Sequence, residues 1–263
     1  MGSKYIKISY EDKIANVCLS RSEKANAINE DMWENLSDLF IDLSSNKDVR
    51  VIILSAEGKN FCSGIELSML ENLLNNTSEC EGRTKERLRS NILKLQKSIS
   101  QIEACSKPVI ATVQGACIGG GVDLITACDF RYATESSYFS VKEAALGITA
   151  DLGTLQRLPL IVGQGTTREW AYTCKKISAL EAKQKGLLND IFSEQTSMQV
   201  EALKTAKLIA SHPPLAIRGT KHILNYSRDH SIDNSLNYVA TWNSAVLPSS
   251  EIKEAMKMIK GSK

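Results

Sequence analysis

The sequence predicts an α/β fold made of repeated strand–strand–helix units, followed by a region that contains only helices. Two observations lead to this prediction. Short runs rich in β-branched residues alternate with longer amphipathic runs in the N-terminal part of the chain, and after about residue 196 only helical periodicity continues. We expect strands at residues 5–10, 14–21, 49–56 and 108–115, and helices at 29–46 and 83–105.

The C-terminal part contains three consecutive helical patterns, at residues 197–212, 213–230 and 231–247. We therefore expect a core domain at residues 1–199 and a C-terminal helical subdomain at 200–263, although no proline-, glycine- or serine-rich linker separates them. The polar stretch 66–84 has no clear periodicity, so we expect a mobile loop there.

Composition and charge favour a protein that acts on small molecules. Hydrophobic residues make up 43% and charged residues 24% of the chain, and 32 basic and 30 acidic residues leave a net charge of only +2. Without a strong field, neither nucleic acid nor a membrane surface is an expected partner. No stretch approaches the length of a membrane span and neither end carries a clear targeting signal, so we expect an intracellular protein.

The cysteines and histidines do not form a recognisable metal or catalytic motif. The seven cysteines include no CxxC pair and have no histidine nearby at metal-ligand spacing, so we expect reduced, mostly buried thiols and no metal site. All three histidines fall in the C-terminal helical patterns. We expect His212, His222 and His230 to pack or to lie at the surface rather than to catalyse.

Three consecutive glycines, Gly119, Gly120 and Gly121, directly precede an apolar run. Glycine lets a backbone N–H approach a ligand closely, and a helix that begins there directs unpaired N–H groups and the positive end of its dipole at that ligand. An oxygen that becomes negative during a reaction would be stabilised at such a turn. The alternative is close packing or a tight turn. The spacing does not match the GxGxxG dinucleotide fingerprint.

A second candidate donor follows the predicted strand 49–56. The segment Ser63, Gly64, Ile65 and Glu66 is a turn that can direct another backbone N–H at the same oxygen. Taken alone, the same four residues would form an ordinary β-turn.

Three acids accompany these turns. Asp123 falls one helical turn after Gly120 in an apolar run, and Glu143 is followed eight residues later by Asp151. Burial and neighbouring carboxylates both raise the pKa of a carboxyl group, which makes it a competent acid or base near neutral pH. The alternatives are a buried structural acid for Asp123, a solvated acid paired with Lys142 for Glu143, and a helix N-cap for Asp151.

Taken together, these segments resemble the crotonase (enoyl-CoA hydratase/isomerase) superfamily, and within it the dienoyl-CoA isomerase subgroup. The joint presence of the three acids resembles that subgroup in particular. The resemblance implies the crotonase, ClpP-like spiral of ββα units with a C-terminal helical trimerisation region, assembled as a homotrimer or homohexamer. It extends along nearly the whole chain and is carried by residues 21–29, 61–67, 107–134, 139–159 and 226–243.

The resemblance also implies a role for each site residue. The backbone N–H groups of Ile65 and Gly120 would form an oxyanion hole for the thioester carbonyl of an acyl-CoA. Glu143 and Asp151 would transfer protons, supported by the buried Asp123. Glu66 stands where the family often has aspartate, which we expect to matter little because the donor is a backbone group. The residues expected to line the substrate and CoA pocket are Ala25, Ala27, Ser63, Gly64, Ile65, Gly119 and Gly120.

The implied reaction converts a 3,5-dienoyl-CoA into a 2,4-dienoyl-CoA in the β-oxidation of unsaturated fatty acids. One carboxylate would remove a C2 proton and the other acid would protonate C6, and the sequence does not assign which acid serves which carbon. CoA is part of the substrate, so no further cofactor is expected. The family's usual compartment is the peroxisome or the mitochondrion.

Three alternatives remain open within the same superfamily. They are enoyl-CoA hydration, Δ3-Δ2 enoyl-CoA isomerisation and, more remotely, acyl-CoA binding without catalysis. The shorter Asp123 and the additional Asp151 argue against hydration, for which a hydratase normally uses two glutamates to hold one water. One helix face is basic and consists of Lys204, Lys207, Arg218 and Lys221. We interpret it as solvated, and the alternative is that it contacts CoA phosphates across a subunit interface.

Overall fold

The computed structural model describes residues 4–75, 78 and 80–261. The first three residues, Ser262 and Lys263 lie outside the described residues. The last two belong to the C-terminal end that we searched for a targeting signal. Among the described residues, no helix has the length and the apolar character that a membrane span requires.

Nine strands among the described residues form two sheets. The strands are β1 (Ile6–Glu11), β2 (Ile14–Leu19), β3 (Val51–Ala56), β4 (Val109–Val113), β5 (Ala116–Ile118), β6 (Phe130–Thr134), β7 (Tyr138–Ser140), β8 (Ile177–Ser178) and β9 (Asp190–Phe192). The larger sheet has the order β1-β2-β3-β4-β6-β9, with β1 and β2 antiparallel and every later pair parallel. The smaller sheet has the order β5-β7-β8. Each of the two strands β4 and β6 in the large sheet is therefore followed by a strand of the small sheet.

Eleven helices among the described residues surround these sheets. They are α1 (Glu30–Ser45), α2 (Leu67–Asn75), α3 (Glu81–Ala104), α4 (Gly120–Thr126), α5 (Thr154–Val162), α6 (Gln164–Thr173), α7 (Ala179–Gln184), α8 (Gln195–Ser211), α9 (Pro214–Arg228), α10 (Ile232–Val246) and α11 (Ser250–Gly261). Short 3-10 turns occupy Ser22–Lys24 and Glu143–Leu146. The order β1-β2-α1, β4-β5-α4 and β6-β7-α5 confirms the predicted ββα units.

The large sheet is buried on both faces. Strands β3 and β4 consist entirely of buried residues, as expected for parallel strands that are covered by helices on both sides. On one face, the main core includes Trp33, Leu36 and Phe40 of α1. On the other face, Ala202, Ala206 and Ala210 recur every four residues on α8 and pack against Val51, Ile53 and Ile110. Small side chains at this spacing let α8 approach the sheet closely.

The stretch 66–84 differs from the prediction of a loop. Its first part forms α2, because Leu67, Leu70 and Leu74 recur at helical spacing. The polar residues between these leucines concealed the periodicity. Residues 76, 77 and 79 of this stretch lie outside the described residues.

The C-terminal helices divide into two groups. Helix α8 packs on the large sheet, so the boundary predicted between residues 199 and 200 falls inside a helix of the core, and the division into domains stays a prediction. Helices α9 and α10 pack against each other through aromatic rings. His222 stacks on Trp242 with centroids 4.9 Å apart, and its Nε2 lies 2.7 Å from the hydroxyl of Tyr238. His230 stacks on Tyr226.

The basic helix face is not uniformly solvated. Lys221 is buried, and its Nζ lies 2.8 Å from Asp129 Oδ2 and 2.9 Å from the carbonyl oxygen of Lys107. The prediction was therefore wrong for Lys221, because this lysine faces the core and pairs there. Lys207 forms ion pairs with Glu11 and Asp12 of the β1–β2 turn.

The packing of α9 on α10 predicts opposite effects for two helical glycines. A Cβ on Gly219 would lie 2.4 Å from Trp242 Nε1, whereas a Cβ on Gly165 of α6 would meet no atom within 4 Å. We expect Gly219→Ala to lower the free energy of unfolding by roughly 1–3 kcal/mol through overpacking. The matched control Gly165→Ala is expected to raise it by up to about 1 kcal/mol, because alanine is the better helix former. Urea unfolding at one protein concentration measures both, and equal stability of the two variants would contradict this packing.

Candidate active site

The glycine run forms a turn between β5 and α4. Gly119 has φ 51° and ψ −116°, a backbone conformation that side chains disfavour. A Cβ at this position would also lie 3.4 Å from Glu143 Oε1. Glycine therefore permits both the turn and the close approach of a carboxylate. The same turn leaves Gly120 as the first residue of α4.

Two backbone N–H groups meet at this turn. Within the described parts of the chain, the N–H groups of Ile65 and Gly120 have no acceptor. The backbones that carry them are in contact, since a Cβ on Gly64 would lie 3.7 Å from Gly120 N, and one on Gly120 would lie 3.7 Å from Gly64 Cα. The two donors of the predicted oxyanion hole are thus brought together by the fold.

The turn that carries Ile65 is held by hydrogen bonds to Ile28, on the side opposite the N–H of Ile65. The N–H of Ile28 donates to Gly64 O at 2.8 Å, and the N–H of Glu66 donates to Ile28 O at 3.0 Å. Because successive residues of an extended strand direct their N–H groups to opposite sides, the N–H of Ile65 faces away from Ile28. The two hydrogen bonds to Ile28 therefore fix the direction of the free N–H of Ile65.

The segment around Ala25 and Ala27 supports the same turn. Ala25 adopts a left-handed conformation with φ 49°, and its carbonyl accepts the N–H of Ser63 at 3.0 Å. Arg21 donates from Nη1 to Ala27 O at 2.9 Å and forms an ion pair from Nη2 to Glu66 Oε1 at 2.6 Å. The sequence analysis missed Arg21, and it underestimated Glu66, whose side chain ties the two segments together.

Asp123 is buried, with 1% of its surface exposed. Its Oδ1 accepts both the N–H and the hydroxyl of Thr154, each at 2.7 Å. Burial raises the pKa of Asp123 to about 6, against the opposing effect of these two hydrogen bonds. Asp123 therefore caps the N-terminus of α5 from a distant part of the chain.

This arrangement changes the expected capping of α5. The N-cap position is Gly153, and the capping carboxylate comes from Asp123 rather than from Asp151. The N-cap alternative for Asp151 was therefore wrong, and the alternative of a buried, hydrogen-bonded acid describes Asp123. The signal for this contact is absent from the local sequence, because the two partners are 31 residues apart.

Glu143 lies next to the glycine turn and has an unused oxygen. Its Oε2 is buried without a hydrogen-bond partner among the described residues. The pKa of Glu143 is raised to about 7, chiefly by burial and in smaller part by the charges of Asp123 and Asp151. None of the ion pairs in the described part of the chain joins Glu143 to Lys142, so the alternative of a solvated, paired acid does not describe this residue.

Asp151 is more open to solvent than the other two acids. It lines a cavity of about 370 Å³ together with Gln96 and Arg157, and its carbonyl oxygen accepts a hydrogen bond from Gln96 Nε2 at 2.6 Å. Partial burial raises the pKa of its carboxyl above the usual value. The mutual repulsion shows that the three predicted acids form one electrostatic group.

A charged network that the sequence analysis missed lies behind these acids. The guanidinium of Arg157 packs over Gly153 and lies 2.9 Å from Glu103 Oε2. Glu103 also pairs with Arg228 of α9. The positive charge of Arg157 lowers the pKa of Asp123 and so opposes the effect of burial. The network links α3, α5 and α9 at the back of the site.

A second cavity of about 370 Å³ opens between α1, α2 and α3. Its lining includes Trp33, Met69 and Leu95, together with polar side chains of the three helices. The indole of Trp33 is 1% exposed, and its Cζ2 lies 3.6 Å from the position of a Cβ on Gly120. Trp33 therefore lies between this cavity and the glycine turn. The sequence marked Trp33 only as one residue of a predicted helix.

The sequence and the fold are similar to those of known proteins along nearly the whole chain. A family model described as enoyl-CoA hydratase/isomerase matches residues 9–261. A peroxisomal Δ3,5-Δ2,4-dienoyl-CoA isomerase of Arabidopsis thaliana is 44% identical, with 95% of this chain and 91% of that protein covered. A mitochondrial Δ3,5-Δ2,4-dienoyl-CoA isomerase of Mus musculus is 41% identical, with 95% of this chain and 77% of that protein covered.

The crystal structure of an enoyl-CoA hydratase from Bacillus anthracis superposes with a TM-score of 0.90 at 27% identity, and the alignment covers 99% of this chain and 97% of that one. This likeness confirms the predicted crotonase fold. The chain belongs to the enoyl-CoA hydratase/isomerase family, the crotonase superfamily that its motifs predicted.

Proposed function

We propose that this protein is an enzyme that converts 3,5-dienoyl-CoA into 2,4-dienoyl-CoA in the oxidation of unsaturated fatty acids. One observation carries the proposal: two backbone N–H groups without an acceptor among the described residues meet beside the half-buried Glu143, whose Oε2 is buried and unpartnered and whose pKa is about 7. The two relatives named above as dienoyl-CoA isomerases support the choice of substrate.

The oxyanion hole makes the first step possible. The thioester oxygen would accept hydrogen bonds from the N–H groups of Ile65 and Gly120, which have no other acceptor among the described residues. Removal of a C2 proton places negative charge on that oxygen. Donors that are already in position stabilise this charge without reorganising, and they stabilise the dienolate more than the thioester.

Glu143 is well placed to remove the C2 proton. Its carboxylate lies against Gly119, next to the donor at Gly120, and its Oε2 has no competing partner among the described residues. Because C2 is bonded to the carbonyl carbon, the base for C2 must lie close to the oxyanion hole. A pKa of about 7 suits a group that accepts a proton near neutral pH.

Asp151 would complete the reaction at C6. Loss of the C2 proton delocalises charge along the chain as far as C6, and protonation there leaves double bonds at C2 and C4. Asp151 lines a separate cavity, and partial burial raises the pKa of its carboxyl, which brings the protonated, donating form closer to neutral pH. The proton that Glu143 gains and the proton that Asp151 loses balance, so the reaction needs no redox partner and no cofactor beyond the CoA of the substrate.

The contacts of Asp123 favour a supporting role over a part in hydration. Its Oδ1 accepts both the N–H and the hydroxyl of Thr154, which orients the carboxyl toward the start of α5. Its side chain is also shorter than the second glutamate that a hydratase normally uses to hold the attacking water. We therefore assign Asp123 a supporting role: it caps α5 and raises the pKa of Glu143 by repulsion. A binding protein without catalysis would not need the unpartnered Glu143 Oε2.

The assembly and the compartment also remain proposals. Large apolar side chains are exposed on the C-terminal helices, which is typical of an interface between subunits. This surface supports the predicted homotrimer or homohexamer and includes Leu224, Ile232, Leu236, Leu247 and Met256. The compartments named for the two relatives, peroxisome and mitochondrion, support the same two for this protein.

The decisive experiment follows the ultraviolet absorbance of 3,5-octadienoyl-CoA mixed with the purified protein. We expect the absorbance of the conjugated 2,4-dienoyl thioester to rise. Glu143→Gln and Asp151→Asn keep the shape of the side chain and remove the titratable group, so each should lower kcat by about 10²- to 10⁴-fold. Glu135→Gln, a change in an exposed glutamate that follows β6, is the matched control and should leave the rate unchanged.

Two outcomes would overturn the proposal. One is near-normal turnover by Glu143→Gln or Asp151→Asn in a folded protein. The other is no rise in absorbance with the dienoyl substrate together with rapid loss of the crotonyl-CoA absorbance, which would indicate a hydratase.

The raised pKa of Glu143 also predicts a pH-dependent stability. The pKa rises from an ordinary 4.5 to about 7 on folding, so the folded state binds this proton more tightly than the unfolded state. Stability is therefore lost as pH rises through this range. Glu143→Gln removes this titrating group. The substitution should therefore stabilise the protein more at pH 8 than at pH 4, by about 1–3 kcal/mol in the free energy of unfolding. Urea unfolding at the two pH values measures this, and the same difference at both would disprove it.

A further inference from the structure

Trp33 has a buried hydrogen-bond donor that the protein itself does not use. Its indole N–H has no partner among the described residues, although the side chain is only 1% exposed. A buried donor without an acceptor is costly, and Trp N–H groups in protein interiors usually find one. The contrast with Trp170 is informative, because that equally buried indole donates to Glu181 Oε1 at 3.1 Å.

The indole N–H edge lies at the glycine turn. Nε1 and Cζ2 are both bonded to Cε2, so they share one edge of the ring. Cζ2 lies 3.6 Å from the position of a Cβ on Gly120, the residue that carries one of the two free backbone donors. The same ring lines the cavity between α1, α2 and α3. The edge of the ring that carries the third unpartnered donor therefore lies near Gly120.

Nearby protein acceptors are already engaged. Asn29 Oδ1 accepts the N–H of Met32 at the N-terminus of α1. Glu34 Oε1 pairs with Lys94 at 2.6 Å, and Glu66 Oε1 pairs with Arg21 at 2.6 Å. These groups line the cavity together with Trp33 but are held by other partners. Because these three oxygens already have partners and the indole N–H has none among the described residues, it is free to donate to a bound molecule.

We infer that the indole N–H of Trp33 is a third donor to the thioester oxygen of the substrate, alongside the N–H groups of Ile65 and Gly120. This inference rests on the proposed function. A neutral carbonyl oxygen has two lone pairs, and an enolate oxygen has three. The third hydrogen bond therefore forms mainly as the dienolate forms, so Trp33 stabilises the reaction's intermediate more than its substrate.

The kinetic test is Trp33→Phe, which keeps an aromatic ring and removes the N–H. Loss of one hydrogen bond to a charged oxygen should lower kcat by about 10- to 100-fold and leave KM nearly unchanged. The matched control is Trp170→Phe, which removes an indole N–H outside the site and should leave kcat unchanged. An unchanged kcat in folded Trp33→Phe would overturn the inference, while turnover by the wild-type protein would leave the proposed function standing.

A second measurement detects the contact in the wild-type protein. The chain has three tryptophans, so a ¹⁵N-labelled sample gives three indole N–H signals, which the Phe variants assign. The probes are 3-oxooctanoyl-CoA, a thioester that ionises readily to an enolate, and octyl-CoA, a thioether without the oxygen. We expect the Trp33 signal to move downfield with the first probe only.

The outcomes separate this inference from the proposed function. No shift with 3-oxooctanoyl-CoA, or an equal shift with octyl-CoA, overturns the role of Trp33, because the indole would then meet no substrate oxygen. The Trp33 signal could move with 3-oxooctanoyl-CoA although the protein does not isomerise 3,5-octadienoyl-CoA. That result would support the contact between Trp33 and the thioester oxygen and would reject the proposed reaction.

Discussion

The candidate site depends on the contact between two backbone segments that only glycine permits. Cys62 and β5 run as a short parallel pair, in which the N–H of Cys62 donates to Ala116 O and the N–H of Ile118 donates to Cys62 O. Immediately beyond this pair, Gly64 approaches Ile118 and Gly120 so closely that a Cβ would lie 3.2 Å from Ile118 O. The ladder that joins the segments ends there, and beyond it the N–H groups of Ile65 and Gly120 have no acceptor among the described residues. Both donors of the proposed oxyanion hole therefore lie at this one contact.

The same fold must hold three acids in a place that disfavours their charge. Burial is the largest cause of the raised pKa of each, and mutual repulsion adds to it for Asp123 and Glu143. The protein offsets this for Asp123 through Thr154 and the charge of Arg157, and for Glu143 and Asp151 only through backbone hydrogen bonds. Glu143 receives no side-chain partner among the described residues, and its Oε2 stays unpaired. The unpaired Oε2 lowers the stability of the protein. The same lack of a partner lets the carboxylate of Glu143 titrate near neutral pH.

Local patterns predicted the first four strands, the helices α1, α3, α8, α9 and α10, the glycine turn and the positions of the acids. Helix α1 was expected at 29–46 and spans Glu30–Ser45, because its apolar period and its Asn29 cap are both local signals. The contacts that set the chemistry are long-range and leave no such signal. Asp123 reaches Thr154 across 31 residues, and Arg21 reaches Glu66 across 45. The resemblance to the family indicated which acids belong together, while their partners became visible only in the folded chain.

In the proposed reaction, repulsion between the two transferring acids has a further consequence. The charge of Asp151 raises the pKa of Glu143, so the ionisation of the two acids is coupled, and over part of the pH range the pair holds one proton. In the assigned direction the 1,5 proton shift begins with this proton on Asp151 and ends with a proton on Glu143, which leaves the charge of the site unchanged. To restore the starting arrangement, Glu143 must release a proton and Asp151 must take one up, and Asp151 lines a cavity open to water that can supply it. The different exposure of the two acids is therefore useful, because a fully enclosed pair would have no route for this exchange.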